Sequence, residues 1–273
     1  MEEDEKKEIL SYYNEGAEIG RLQRGIGKLE WERTRELISR YLPAQKSVIY
    51  DIGGGIGLYS SWLSGLGHEV HLFDLAPQEI KYAQENNPEI YQLEVADARN
   101  INRESKSADM VLLMGPLYHL TGGDDRLAAL AEAKRLLKPG GILIASVITR
   151  FSSTLWGLSV FGQKNDFILE QDFFEMIGRE LDHGQHVRPE KYPYFISRSF
   201  FHIPGELRQE LTDAGLMNIE IYSVEGPAWI VPSFEKKWDD PEAKAKLLEI
   251  VRKVEQQESL HGISPHLLGV AFC

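Results

Sequence analysis

The run Val48-Ile49-Tyr50-Asp51-Ile52-Gly53-Gly54-Gly55-Ile56-Gly57 constrains this chain more than any other segment, because a short β-prone stretch ends in four closely spaced glycines. It reads as a strand breaking into a loop that opens a helix over Leu58–Gly65. Glycine permits positive φ and close approach of the backbone to a ligand, and a helix N-terminus offers unpaired N–H groups to an anion. The loop is therefore a candidate cradle for a nucleotide-like cofactor. A tight strand-to-helix turn needs glycine on its own account, so the loop alone does not decide the matter.

The segments around it repeat one alternation. Strands are expected at Val48–Ile52, Glu69–Phe73, Ile90–Val95, Asp109–Met114 and Gly141–Thr149, with helices at Leu58–Gly65, Gln78–Asn86 and Asp124–Leu137. Such alternation predicts an α/β fold with a doubly wound, mostly parallel sheet, since each right-handed crossover must cover one face. Residues 1–42 read as helix interrupted at Gly25-Ile26-Gly27 and ended by Pro43. After Thr149 the pattern breaks: 151–203 hold 11 of the 27 aromatic residues with no strand period. We read this stretch as an inserted cap whose rings either form its own small core or line an apolar pocket. Beyond it come a helix at Pro204–Ala214, a strand at Met217–Val224, a helix at Ala243–Gln257 and a strand at Leu267–Phe272.

Two cofactor patterns can be tested on the glycines. The dinucleotide fingerprint G-x-G-x-x-G, started at Gly53, requires a small residue where Leu58 stands, and fails. Acidic-x-Gly-x-Gly-x-Gly fits, as Asp51, Gly53, Gly55 and Gly57, with Gly54 between. Here the sequence resembles the class I S-adenosylmethionine-dependent methyltransferases, over most of residues 44–150. Asp74, ending His71-Leu72-Phe73-Asp74-Leu75, matches the acid that holds the ribose hydroxyls in that family, and Asp97 in Val95-Ala96-Asp97-Ala98 matches the one that receives the adenine amino group. A carboxylate suits two hydroxyl donors, since it accepts both at once, although an Asp at a strand end also caps helices. Leu136-Leu137-Lys138-Pro139-Gly140-Gly141 matches a turn of the family before its fifth strand.

The resemblance implies a seven-stranded sheet of order 3-2-1-4-5-7-6 with the last strand antiparallel, and S-adenosylmethionine as cofactor with S-adenosylhomocysteine as product. It also implies that the N-terminal helices close over the site. Tyr13 and Arg21 are then candidates at the methionine end, Arg21 through the cofactor carboxylate. Leu75, Ala98, Met114 and Gly115 complete the expected cofactor set. The implied layout is a lid at 1–43, a core at 44–150, the cap at 151–203, and completion of the sheet by 204–273 with an inserted helix at about 235–258.

The reacting end falls at Met114-Gly115-Pro116-Leu117-Tyr118-His119, after the fourth strand, where open α/β sheets bind ligands. Family members that methylate base or amide nitrogens carry Asn/Asp-Pro-Pro-aromatic there. This stretch resembles instead the small-molecule group related to quinone-biosynthesis methyltransferases. His119 is the candidate base and Tyr118 a candidate for orienting substrate, each with a structural reading beside it. His183, His186 and His202 lie near the cap without an organised zinc spacing, so no metal is expected.

Composition narrows the partners. A formal charge of −12 opposes phosphate backbones, so nucleic acid is not expected. No apolar run approaches a membrane span, and the acidic start Met1-Glu2-Glu3-Asp4 is unlike a signal peptide, so a cytoplasmic enzyme without a membrane partner is expected. Its single cysteine, Cys273, forms no intramolecular disulfide. The expected activity is methyl transfer to a small, partly apolar molecule. The alternatives are a protein or peptide methyltransferase and a cofactor-binding sensor without turnover.

Overall fold

The structure, a computed structural model, describes residues 3–14, 16, 18–159, 166–193 and 195–273. Phe161 and Tyr194, two of the aromatic residues assigned to the cap, lie outside the described residues, as does Ala17. The central strands are β1 (Val48–Ile52), β2 (Glu69–Asp74), β3 (Gln92–Val95), β4 (Ala108–Leu113) and β5 (Leu137–Ile148). They are completed by β8 (Met217–Ser223) and β9 (His266–Phe272), in the order β3-β2-β1-β4-β5-β9-β8. β9 runs antiparallel to both β5 and β8, and the other pairs are parallel. Counted among core strands alone this is the expected 3-2-1-4-5-7-6.

A parallel sheet buried on both faces needs apolar residues on both, and the strands supply them in alternation. Tyr50, Ile52, Val111, Leu113, Leu143 and Ala145 pack on one side with Leu130, Ala133 and Leu136 of α6 (Gly123–Leu136) and Leu207 and Leu211 of α9 (Pro204–Asp213). Ile49, Val70, Met110, Leu112 and Ile144 face Leu37 and Ile38 of α2 (Gly27–Tyr41), and Tyr59 and Leu63 of α3 (Leu58–Gly65).

Several boundaries differ from the sequence reading. β3 starts at Gln92, because Ile90 sits in a turn on Asn87 and packs with Leu72, Ile80 and Ala83 as core. α1 (Glu3–Asn14) and α2 are separated by a 3-10 turn at Arg21–Gln23, and a side chain at Gly27 would come within 2.3 Å of the Arg21 carbonyl. In α11 (Pro241–Val254) Leu247, Leu248 and Val251 are buried, whereas Ile250 faces outward. The described residues of 151–203 include α7 (Ser152–Leu158), α8 (Gln171–His183) and a hairpin of β6 (Gln185–Val187) with β7 (Arg198–Phe200). Their rings pack on each other: Phe167, Phe173 and Tyr192 are buried together against Trp156 and Phe195. Among the described residues no helix is long and apolar enough to cross a membrane.

Candidate active site

The carboxyl ends of β1, β2 and β4 meet at the glycine loop. Gly53, Gly55 and Gly57 have φ of +75°, +55° and +79°, a region glycine enters without penalty. Gly54 is held by packing instead: a Cβ there would lie 2.4 Å from Leu72 Cδ1 and 2.5 Å from Asp51 Oδ2. Asp51 is fully buried beneath the loop, where the Ser60 hydroxyl donates to Oδ2 at 2.7 Å and burial raises its pKa to about 6. Asp51 and Gly57 thus stand behind the wall and shape the loop from below. In front of it opens a cavity of about 1000 Å³, solvent at its mouth included. Tyr13, Arg21, Gly53, Gly54, Gly55, Asp74, Leu75, Asp97, Ala98, Met114, Gly115, Tyr118 and His119 all line it, so thirteen sequence candidates converge on one space.

Its two expected carboxylates differ electrostatically. Asp74 accepts the backbone N–H of Gly55 on Oδ2 and of Ala76 on Oδ1, each at 2.8 Å, and burial pushes its pKa up. A carboxylate has about four acceptor sites, and the capacity these N–H groups leave suits the hydroxyl donors of a vicinal diol. Asp97 is gripped by Arg99, whose Nε and a terminal nitrogen donate at 2.9 and 2.6 Å, and this pairing lowers its pKa. The same Arg99 reaches Asp125 at 2.5 Å.

α1 lies across the opening. Tyr13 Oη is 2.5 Å from Nε2 of His119, on α5 (Pro116–His119), and the rings meet edge to face. Burial lowers the His119 pKa to about 4 and raises that of Tyr13, so the imidazole is neutral and the phenol protonated. The Tyr118 hydroxyl donates to the Met114 carbonyl at 3.4 Å. Arg21 is already engaged: Nε donates to Glu18 at 2.9 Å and the terminal nitrogens to Glu30 at 2.6 and 3.0 Å. Behind Glu30, His266 Nδ1 bonds Glu225 at 2.6 Å. Burial opposes a charge on this histidine, but Glu30 and Glu225 prevail and raise its pKa to about 9. Glu30, Glu225 and His266 offer donor atoms within 4.8 Å of one another. Their oxygens already serve Arg21, Ser264 and His266.

The cap histidines point elsewhere. His186 is buried between Glu180 and the Ile196 carbonyl, His202 bonds Glu210 at 3.1 Å, and His183 is exposed. None of the described aromatic residues of 151–203 lines the cavity. Sequence reasoning missed two acids, Glu18 on the cavity wall and Glu79 beside Gly55. Neither sits in a motif, and only Glu79's place five residues after Asp74 hinted at the site.

Comparison with known proteins agrees with this geometry. Residues 50–145 match the methyltransferase domain family. The ubiquinone biosynthesis O-methyltransferase of Xanthomonas euvesicatoria pv. vesicatoria (strain 85-10) is 31% identical over 185 residues, 66% of this chain and 67% of that protein. The enzyme of the same name from Cereibacter sphaeroides (strain ATCC 17029) is 37% identical over 118 residues, 41% of this chain and 46% of the relative. A putative S-adenosylmethionine-dependent methyltransferase from Listeria monocytogenes superposes with a TM-score of 0.59 at 18% identity, covering 90% of this chain and 98% of that one. One from Mesorhizobium loti gives 0.56 at 18% identity, covering 88% and 98%.

A doubly wound sheet with a glycine loop and acids at the ends of β2 and β3 defines a nucleotide-cofactor α/β protein. This chain belongs to the class I S-adenosylmethionine-dependent methyltransferases. The residues present fit that cofactor, because Asp74 lines the cavity with a carboxylate able to accept from hydroxyl groups and the wall at Gly53–Gly55 is bare of side chains.

Proposed function

We propose that this protein moves the sulfonium methyl group of S-adenosylmethionine onto a small, partly apolar, uncharged molecule by direct displacement. The observation that carries this reading is the character of the cavity. It is lined by Ile9, Leu10, Leu22, Ile56 and Leu58, and its one described arginine or lysine, Arg21, is committed to Glu18 and Glu30. An anionic acceptor would find no unengaged cation there, and desolvating an unpaired charge is costly. Since the ubiquinone-biosynthesis relatives are O-methyltransferases, oxygen is the acceptor atom this reading favours.

When bound, the cofactor supplies an activated methyl group that leaves a neutral thioether. The chain contributes alignment and exclusion of water, effects worth about 7 to 11 kcal/mol in well-oriented reactions. Asp74 holds the ribose and Asp97 the adenine side, while residues 1–43 act as lid and 151–203 as a cap that buttresses it, Glu8 of α1 pairing with Arg198 of β7 at 3.1 Å. His119, neutral at physiological pH, takes the proton of the acceptor hydroxyl once Tyr13 Oη has left Nε2, as oxygen bonds to the methyl carbon and the carbon–sulfur bond breaks. Tyr118 orients the acceptor. In this reading the protein works in the cytoplasm on a small molecule rather than on nucleic acid, which its net charge of −12 opposes.

Incubating the protein with methyl-labelled S-adenosylmethionine and a metabolite extract tests the reading. Label should enter an apolar small molecule, and His119→Ala should slow transfer by far more than the several-fold loss of cofactor affinity that follows from breaking its contact with Tyr13. Label confined to protein, or folded protein that binds no S-adenosylhomocysteine by calorimetry, overturns it.

A further inference from the structure

We propose that Glu79 is a second ribose-binding residue, its carboxyl group making a hydrogen bond to the cofactor diol beside Asp74. The inference rests on the cofactor reading above and adds to it a residue that no motif marks.

Glu79 occupies the third position of α4 (Pro77–Asn86), whose N-cap is Ala76. A glutamate there ordinarily folds back onto the N–H of the N-cap residue, closing the helix end. In this chain that N–H is already taken by Asp74 Oδ1 at 2.8 Å. Glu79 is left without its usual partner and does not swing out to water: it is 2% exposed, and Oε2 is buried with no hydrogen bond. An unpaired buried carboxyl group is expensive, and an apolar side chain would fill the same space without that cost.

Its direction indicates a use. Oε2 lies 3.5 Å from where a Cβ on Gly55 would stand, on the side where the Glu18 side chain approaches to 3.8 Å. Gly55, Glu18 and Asp74 all line the cavity, and Asp74 is tied to the Gly55 N–H. The orphaned oxygen thus sits beside the bare glycine, just behind the cavity wall rather than on it, and a rotation of the Glu79 side chain past Gly55, where no Cβ stands, brings it to the diol in front of Asp74. Burial, then Asp74 on β2 and Glu18 before α2, raise the Glu79 pKa to about 8. At neutral pH the group holds a proton and can donate it in a hydrogen bond. That complements Asp74: the carboxylate accepts from the ribose hydroxyls, and the neutral acid donates to a hydroxyl oxygen.

Calorimetric titration with S-adenosylhomocysteine and with its 2′,3′-dideoxy analogue tests the assignment. Glu79→Met, similar in volume, should weaken S-adenosylhomocysteine about tenfold while changing the analogue less than about twofold, and Glu79→Gln should stay within about threefold. Between pH 7 and 9 the wild type should lose affinity relative to Glu79→Gln, as Glu79 ionises. Equal loss of both ligands in Glu79→Met, no loss of either, or parallel pH profiles for wild type and Glu79→Gln would overturn the proposal. Should Glu79→Met fail to fold, the Gln variant's pH profile decides alone. A wild type that binds no S-adenosylhomocysteine defeats the cofactor reading itself, a result distinguishable from all of these.

Discussion

The floor and the cover of the cavity are built by different means. The floor is backbone: glycines wedged between β1, β2 and β4, with Asp51 and Leu72 directly beneath. The cover is side chains: Tyr13 on His119, Arg21 between Glu18 and Glu30, and Glu8 on Arg198. A floor of this kind gives no ground without unpacking the sheet, whereas single hydrogen bonds of about 0.5 to 1.5 kcal/mol can open and reform with each turnover. On the function proposed above, the difference separates a fixed cofactor cradle from a closure that ligands cross.

The floor should therefore break most completely. Gly54→Ala places a methyl group 2.4 Å from Leu72 Cδ1 and 2.5 Å from Asp51 Oδ2, two side chains that are themselves fully buried. Overpacking of this kind costs about 1 to 3 kcal/mol in stability, and S-adenosylhomocysteine affinity should fall at least about a hundredfold. Thermal unfolding and calorimetry read the two effects. Near-normal affinity in this variant would show the floor to be as adaptable as the cover.

The support of the cover comes next. Arg33 of α2 is fully buried, pairs with Glu36 at 2.5 Å, and bonds Glu255 just past α11, which Arg40 shares at 2.5 Å. Arg33→Ala empties a fully buried site and takes from Glu255 one of its two arginines, Arg40 remaining, and should destabilise the protein by about 1 to 3 kcal/mol in urea unfolding. A cost below about 1 kcal/mol would mean that the network is solvated.

His266, the first residue of β9, sits behind the cover and faces Glu225 and Glu30. Its folded pKa of about 9 exceeds the ordinary 6.5. The stabilisation is therefore complete below pH 6.5 and lost as pH rises through 9, at most on the order of 3 kcal/mol. His266→Gln should flatten the stability profile between pH 6.5 and 9.5. A wild-type profile already flat in that window would place the charge elsewhere.

The floor was also the legible half. A strand running into glycines, the failed dinucleotide spacing and the acids at 74 and 97 are local patterns, and they led to the observed sheet order. What stayed hidden depends on residues far apart in sequence. Tyr13 meets His119 across 106 positions, and Arg33 meets Glu255 across 222, pairings that no local period encodes. Arg21 was expected at the cofactor carboxylate from the resemblance, through its place in the N-terminal segment and its charge, and the glutamates that surround it could not be foreseen. Ile90 read as strand because an apolar residue in a turn and one in a strand look alike over a few positions. Glu79 was passed over because glutamate in the first turn of a helix is ordinary, and only the diversion of the Ala76 N–H to Asp74 makes it unusual.

Tyr13→Phe is the smallest and sharpest test of the cover. It removes one hydroxyl and leaves the edge-to-face contact with His119, whose ring centroid lies 5.1 Å away, so packing is preserved. Losing a single hydrogen bond should weaken S-adenosylhomocysteine by about 1 kcal/mol, near fivefold, chiefly through faster dissociation, because a closure that loosens releases ligand sooner than it hinders entry. His119 should still titrate well below 6.5, since burial rather than Tyr13 depresses its pKa, and imidazole proton shifts followed through pH 4 to 7 would show it. If the pKa instead rises to its ordinary value, water has entered, and the tyrosine hydroxyl seals the site as well as latching it. If the dissociation rate is unchanged, α1 is a fixed wall, and the division between rigid floor and yielding cover fails at its most direct point.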